Sequence, residues 1–503
     1  MPSAELTLDP HFTVGPVHRR VFGAFVEHLG RSVYDGLYEP DHPAADPDGF
    51  RTDVIALVRE MGVSTIRYPG GNFVSGFRWE DAIGPKDDRP SRLDLAWHST
   101  ESNQVGIDEF ARWLDKVGSE LMYAVNLGTR GVQEALDVLE YANVPGGTEL
   151  SDLRIKNGRL DPHRIKMWCL GNEMDGPWQL GHRSAEDYGK LASRTAKAMR
   201  QLDPSLELVV CGSSHASMPT FGSWEHTVLR HTYTDVDFIS CHAYYEEFDG
   251  DAGSFLASAV NMDHFIEAVV ATADTVRAEL HQKKRINISF DEWNVWYITR
   301  YRTVEQMTDV NHWPTAPRIL EHQYSVLVGV VVGNLLISLL KHADRVTSAS
   351  LAQLVNTIAP IMTEPGGPSW RQTTFFPFAI TSRLAVGQAL DVKLASDTYI
   401  TATYGEVPLI DAVATFDVET NRTAIFLVNR SLDAAKAMSV DISHLGEVSI
   451  LETHTLADED IYATNTLAHQ DRVGVAPNPT AQIADGRLTI ELPAVSWTAI
   501  ALG

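Results

Sequence analysis

Ile165-Lys166-Met167-Trp168-Cys169-Leu170-Gly171-Asn172-Glu173 carries an apolar strand into a polar end, and the chain continues as Met174-Asp175-Gly176-Pro177-Trp178 towards a helical segment at 185–202. Ser184 and Asp187 have the spacing of a capping box at the start of that segment. Tyr188, Leu191, Thr195, Ala198, Met199 and Leu202 then recur at three- and four-residue steps, which gives the helix one buried face. The stretch is therefore one strand–loop–helix unit, with a carboxylate where the strand runs out.

The unit repeats outward in both directions. Strands are expected at 21–27, 64–68, 121–127, 165–170, 206–211, 238–242, 286–290 and 349–354, with helices clearest at 106–117, 132–142, 185–202, 264–280 and 322–341. Eight strands alternating with helices predict an α/β protein whose parallel sheet closes into a (β/α)8 TIM barrel. An open doubly wound sheet is the alternative, but it usually carries a glycine-rich phosphate turn after its first strand. Here that strand ends in Glu27-His28-Leu29-Gly30. Beyond about residue 385 the helical periods stop. Strand-like runs at 409–416, 423–428, 438–442, 448–456, 488–492 and 497–502 predict a C-terminal all-β sandwich of jelly-roll type. Residues 4–8 alternate like a further strand. The expected organisation is an N-terminal segment, 1–18, that joins the sandwich, a catalytic barrel at 19–384 and the sandwich at 385–503.

The 41 basic and 66 acidic side chains leave a formal charge of −25. Such a balance argues against nucleic acid or an anionic membrane as partner, since both reward basic patches. The three cysteines, Cys169, Cys211 and Cys241, lie in apolar runs without metal-binding spacing, and read as buried thiols. Residues 1–14 have neither the basic nor the apolar region of a signal peptide. The apolar run 326–340 falls short of the roughly 20 residues that span a bilayer. Together these features predict a cytoplasmic protein with no membrane partner.

A second strand, Ile286-Asn287-Ile288-Ser289-Phe290-Asp291-Glu292, also ends in a glutamate and leads into Trp293-Asn294-Val295-Trp296-Tyr297. Barrel enzymes build their sites at the C-terminal ends of the strands. Those ends supply Glu27, Arg67, Asn72, Asn126, Asn172, Glu173, His242, Tyr244, Glu292 and Gln353. Glu173 follows the fourth strand and Glu292 the seventh, so the two face each other across a closed barrel. Paired carboxylates are the machinery of glycoside hydrolysis: a separation of about 5–5.5 Å retains the anomeric configuration, and about 6.5–9.5 Å inverts it. Structural ion pairing is the plainer role for either glutamate alone. Trp97, Trp178 and Trp296 either fill the rim of the core or stack on sugar faces. Asn126 and Asp175 read as structural. His28 and His242 lack the spacing of a metal site, and no metal or other cofactor is expected.

Gly171-Asn172-Glu173-Met174-Asp175-Gly176-Pro177-Trp178 and Asp291-Glu292-Trp293-Asn294 resemble the acid/base and nucleophile motifs of glycoside hydrolase family 51, mainly α-L-arabinofuranosidases. Arg67-Tyr68-Pro69-Gly70-Gly71-Asn72, Phe22-Gly23-Ala24-Phe25-Val26-Glu27-His28, His342-Ala343-Asp344-Arg345-Val346 and Leu351-Ala352-Gln353-Leu354-Val355-Asn356 extend the resemblance over essentially the whole chain. It implies Glu173 as acid/base and Glu292 as nucleophile of a retaining, exo-acting enzyme on arabino- and arabinoxylo-oligosaccharides. It further implies that Asn172 bonds the glycone 2-hydroxyl and that Glu27, Asn72 and Gln353 hold other hydroxyls. Tyr244 would touch the nucleophile, and Arg67 would keep that carboxylate charged. A homo-oligomer, often a hexamer, is implied as well. A β-xylosidase or endo-β-glucanase on the same fold, and a non-catalytic carbohydrate-binding protein, are the alternatives.

Overall fold

The computed structural model describes residues 4–503; residues 1–3 of the expected N-terminal segment lie outside the described residues. Eight parallel strands form a closed barrel: β1 (Gly23–Phe25), β2 (Thr65–Tyr68), β3 (Glu120–Val125), β4 (Met167–Leu170), β5 (Glu207–Val210), β6 (Phe238–Tyr245), β7 (Asn287–Val295) and β8 (Val346–Ala352). Each pairs with its neighbour in sequence, and β8 closes on β1. All eight overlap the runs that the alternation predicts, but β6 and β7 continue to Tyr245 and Val295, beyond the expected ends at 242 and 290. Successive strand side chains point to opposite faces. Thus Met122, Ala124, Met167, Cys169, Val209 and Phe238 form one buried cluster with Val74, distinct from the cluster that holds Leu121, Tyr123 and Val125. The three cysteines are buried and free.

Two helices start elsewhere than periodicity suggests. The helix expected from 264 begins at Ser258 and runs to Glu279, its apolar face extended by Ala259 and Met262. The helix expected from 322 starts only at Val326, because Ser325 caps it, its hydroxyl accepting from the Val328 N–H at 3.4 Å. The preceding residues are held in a loop, where the Tyr324 N–H donates to Gln372 Oε1 at 2.7 Å.

The helix Val326–Lys341 is buried at every position before Lys341. It is enclosed because it lies between the barrel helix Ser258–Glu279 and the sandwich strands Ile410–Asp417, Arg422–Asn429 and Ser496–Leu502. Among the described residues, no helix is long and apolar enough to cross a membrane. At the junction, Arg430 donates to Asn334 Oδ1 at 2.7 Å and to Asp411 Oδ2 at 2.8 Å.

The sandwich holds a six-stranded sheet, in the order Thr13–Pro16, Gln388–Leu390, Ile410–Asp417, Arg422–Asn429, Ser496–Leu502 and Ile450–Leu456. A five-stranded sheet faces it, in the order Lys393–Ser396, Ala4–Thr7, Lys436–Asp441, Arg487–Leu492 and Gln482–Ala484. Alternate side chains from both, including Leu6, Ile425, Val440, Ile490 and Ile500, form the core between them.

A short hairpin, Arg92–Asp94 paired with Ser99–Glu101, stands over the barrel mouth after β2. Its strands are three residues each, too short for the alternation of Leu93 and Leu95 to give a strand signal. It is braced from the far side of the mouth, where Thr100 N–H donates to the Pro314 carbonyl at 3.0 Å and Thr100 Oγ1 to the Trp313 carbonyl at 2.7 Å.

Candidate active site

β7 places two carboxylates in succession at the centre of the mouth. A regular strand would send Asp291 and Glu292 to opposite faces. The pairing of β6 with β7 instead slips by one residue between Ser240 and His242, so β7 bulges. Bulges re-aim side chains, and here both acids meet inward-facing groups. Arg67, at the end of β2, donates from Nη1 to Glu292 Oε1 at 2.7 Å and from Nη2 to Asn172 Oδ1 at 2.6 Å. Tyr244 donates its hydroxyl to Glu292 Oε2 at 2.7 Å.

Glu173 follows β4 in the left-handed region, with φ of 42°, a strained conformation for a non-glycine residue. Its Oε1 pairs with His242 Nδ1 at 2.9 Å and its Oε2 accepts from the Trp178 indole N–H at 2.6 Å. His242 Nε2 in turn pairs with Asp291 Oδ1 at 2.9 Å. One oxygen of Glu173, one of Glu292 and a ring nitrogen of His242 lie within 4.8 Å of one another. That spacing would suit a cation, but His242 already has a carboxylate on each nitrogen, and Glu292 already has Arg67 and Tyr244.

These environments hold the acids apart. Burial raises the Glu173 pKa, and the charge on Glu292 adds to it; the bonds from His242 and Trp178 offset only part. Burial alone would lower the His242 pKa. The charge of Glu292 and the bonds to Asp291 and Glu173 outweigh that and raise it to about 10, so the ring is a cation near neutrality.

Glu27, at the end of β1, closes the far wall. Its Oε1 accepts from Phe73 N–H at 2.8 Å and Trp97 Nε1 at 2.9 Å, and its Oε2 accepts from Gln353 Nε2 at 3.3 Å. Burial, assisted by the charge of Glu292, raises its pKa to about 8. A Cβ on Gly71 would come within 3.2 Å of both Glu27 Oε2 and Glu292 Oε1, so a side chain there would crowd the two carboxylates.

Glu27, Asn72, Trp97, Glu173, Tyr244, Glu292, Trp296 and Gln353 thus line one pocket of about 350 Å³. Arg67 and Asn172 lie buried behind it. Trp178 stands on the rim, 45% exposed. Asn126 is not part of the site: it donates to the Phe77 carbonyl and accepts from the Gly128 and Thr129 N–H groups. Asp175 ties the loop after β4 to Ser214. Sequence reading weighs His242 only as a metal ligand and passes over Asp291. The His-x-Tyr alternation on β6 was the available signal for the first, whereas the bulge that turns Asp291 inward leaves no mark in the sequence.

Comparison with known proteins gives a consistent result. The family models described as α-L-arabinofuranosidase 1 domain and α-L-arabinofuranosidase C-terminal domain match residues 57–252 and 291–496. An intracellular exo-α-(1→5)-L-arabinofuranosidase of Streptomyces lividans is 58% identical over 502 residues, covering 99% of this chain and 75% of that protein. An exo-α-(1→6)-L-arabinofuranosidase of Bifidobacterium longum is 57% identical, covering 99% and 97%. The solved structure of a family 51 α-L-arabinofuranosidase from Bifidobacterium longum superposes with a TM-score of 0.96 at 48% identity over the whole of both chains.

Proposed function

The chain belongs to glycoside hydrolase family 51, and from that membership and the geometry of its paired glutamates we propose a retaining exo-α-L-arabinofuranosidase. The enzyme releases terminal arabinofuranose from arabino- and arabinoxylo-oligosaccharides. The observation that carries the mechanism is the approach of the Glu173 and Glu292 carboxylates to within 4.8 Å. It supports the retaining spacing of about 5–5.5 Å over the inverting one.

Glu292, oriented by Arg67 and Tyr244, attacks the anomeric carbon as Glu173 gives its proton to the departing glycosidic oxygen. The ester formed on Glu292 removes one negative charge from the cluster. Glu173 loses the neighbour that favours its protonated form, while the His242 cation remains bonded to it. It therefore ionises, takes a proton from water, and the hydroxide so generated cleaves the ester with a second inversion. Glu27, Asn72, Asn172 and Gln353 hold the glycone hydroxyls, with Trp97 and Trp296 against the ring and Trp178 at the exit. Glu27, Trp97, Trp296 and Gln353 wall the pocket around the two glutamates, an enclosure that suits one terminal sugar better than the middle of a polymer.

The same reading takes 1–18 with 385–503 as the sandwich and 19–384 as the catalytic barrel. It makes the enzyme a cytoplasmic homo-oligomer that acts without nucleic acid and sediments at a multiple of the 55.6 kDa chain, six-fold for a hexamer. The test of the glycone is a set of initial rates on matched aryl α-L-arabinofuranoside, β-D-xylopyranoside and β-D-glucoside. The arabinofuranoside should be strongly preferred. Preference for either pyranoside would overturn the roles given to Glu27, Asn72 and Gln353.

A further inference from the structure

Beside the glycone pocket lies a larger cleft, of about 880 Å³, whose lining includes neither catalytic glutamate. One wall is the hairpin after β2, where Leu93 and Leu95 are 56% and 62% exposed. The other comes from the loops after β3 and β4, through Thr129 and Leu180. Asn72 lines both cavities, so they adjoin. Leu180 stands two residues beyond Trp178, whose indole holds Glu173. The cleft therefore shares Asn72 with the glycone pocket and is edged by the loop that carries Trp178.

Its chemistry suits a neutral, amphipathic ligand. Arg78 and Arg92 stand against Asp81, Asp94 and Glu101 in the lining, and Glu101 is taken up by His28 Nδ1 at 2.8 Å, so no large excess of either charge faces the cleft. The exposed leucines offer apolar surface to the C–H face of a sugar ring. Arg92 and Asp81, paired at 2.8 Å, present donors and acceptors to its hydroxyls.

We infer that this cleft is a subsite for the sugar residues beyond the scissile bond, and that Leu93, Leu95 and Leu180 set the preference for oligosaccharides over small leaving groups. The inference rests on the reading of the adjoining pocket as the glycone site.

Gly76 provides the test. A Cβ there would meet only Leu180 Cδ2 at 3.5 Å and the Phe73 carbonyl oxygen at 3.9 Å, so a side chain can enter the cleft without moving the backbone. Gly76→Phe and the double variant Leu93→Ser/Leu95→Ser are compared with the unsubstituted enzyme on an aryl α-L-arabinofuranoside and on α-1,5-arabinotriose. Filling the cleft should lower kcat/KM for the triose by at least about tenfold and leave the aryl substrate within about twofold; loss of the leucines should act in the same direction. An unchanged triose rate, or a parallel fall on both substrates in both variants, would overturn the subsite. Failure of the unsubstituted enzyme on the aryl arabinofuranoside would instead overturn the glycone reading, and the subsite with it.

Discussion

His242 is the residue on which the proposed division of labour between the two glutamates turns. It touches Glu173 through one nitrogen and Asp291 through the other, and as a cation it offsets two nearby acids. Both its charge and its hydrogen bond lower the Glu173 pKa against the burial that raises it. A neutral replacement removes that lowering. In His242→Gln the alkaline limb of kcat/KM, which reports loss of the Glu173 proton in the free enzyme, should therefore move to higher pH. The rate itself should fall by up to about 10²-fold as Glu173 loses its alignment. A pH–rate profile on an aryl arabinofuranoside measures both; a limb that stays in place or moves down would remove His242 from this role. The two glutamates are legible in sequence because each closes an apolar run, although β7 itself continues past Glu292 to Val295. The partner that tunes one of them is not, because its significance depends on the bulge that brings Asp291 beneath it.

At the level of elements, the helix Val326–Lys341 joins the barrel to the sandwich. Its glycines interrupt an apolar run that could otherwise be mistaken for a membrane segment, and the fold explains them. A Cβ on Gly329 would come within 2.7 Å of Leu456 Cδ2, and one on Gly333 within 2.3 Å of Trp497 Cδ1. The helix lies this close to the sandwich only because both positions lack side chains. Trp497 is fully buried and has no room to swing away. Gly333→Ala should thus destabilise the protein by about 1–3 kcal/mol, as overpacking of a core typically does, and leave kcat/KM of the folded enzyme unchanged. Thermal and denaturant unfolding check the first part, and initial rates the second. An unaltered unfolding midpoint would show that the interface is looser than this contact implies. The barrel strands and the main sandwich strands follow from hydrophobic alternation. The hairpin at 92–101 does not, since its strands are only three residues each, too short for Leu93 and Leu95 to establish a period, and the hairpin is ordered by its bonds to the loop at 313–314.

For the whole molecule, closure of the barrel brings together side chains that are far apart in sequence. Glu27 and Gln353 bond across 326 residues, and Arg67 and Glu292 across 225. Strand order alone makes Glu173 and Glu292 face one another. Their separation depends on the tilt of the barrel and the bulge in β7, which only the three-dimensional structure supplies. That separation is what distinguishes double displacement from direct attack by water. The most direct measurement is the anomeric configuration of the product formed when an aryl α-L-arabinofuranoside is cleaved in aqueous methanol and followed by NMR from the first turnovers. Two inversions, with Glu292 attacking first and methanol second, should give methyl α-L-arabinofuranoside. Formation of the β-anomer would contradict a covalent intermediate on Glu292 and the roles assigned to both glutamates.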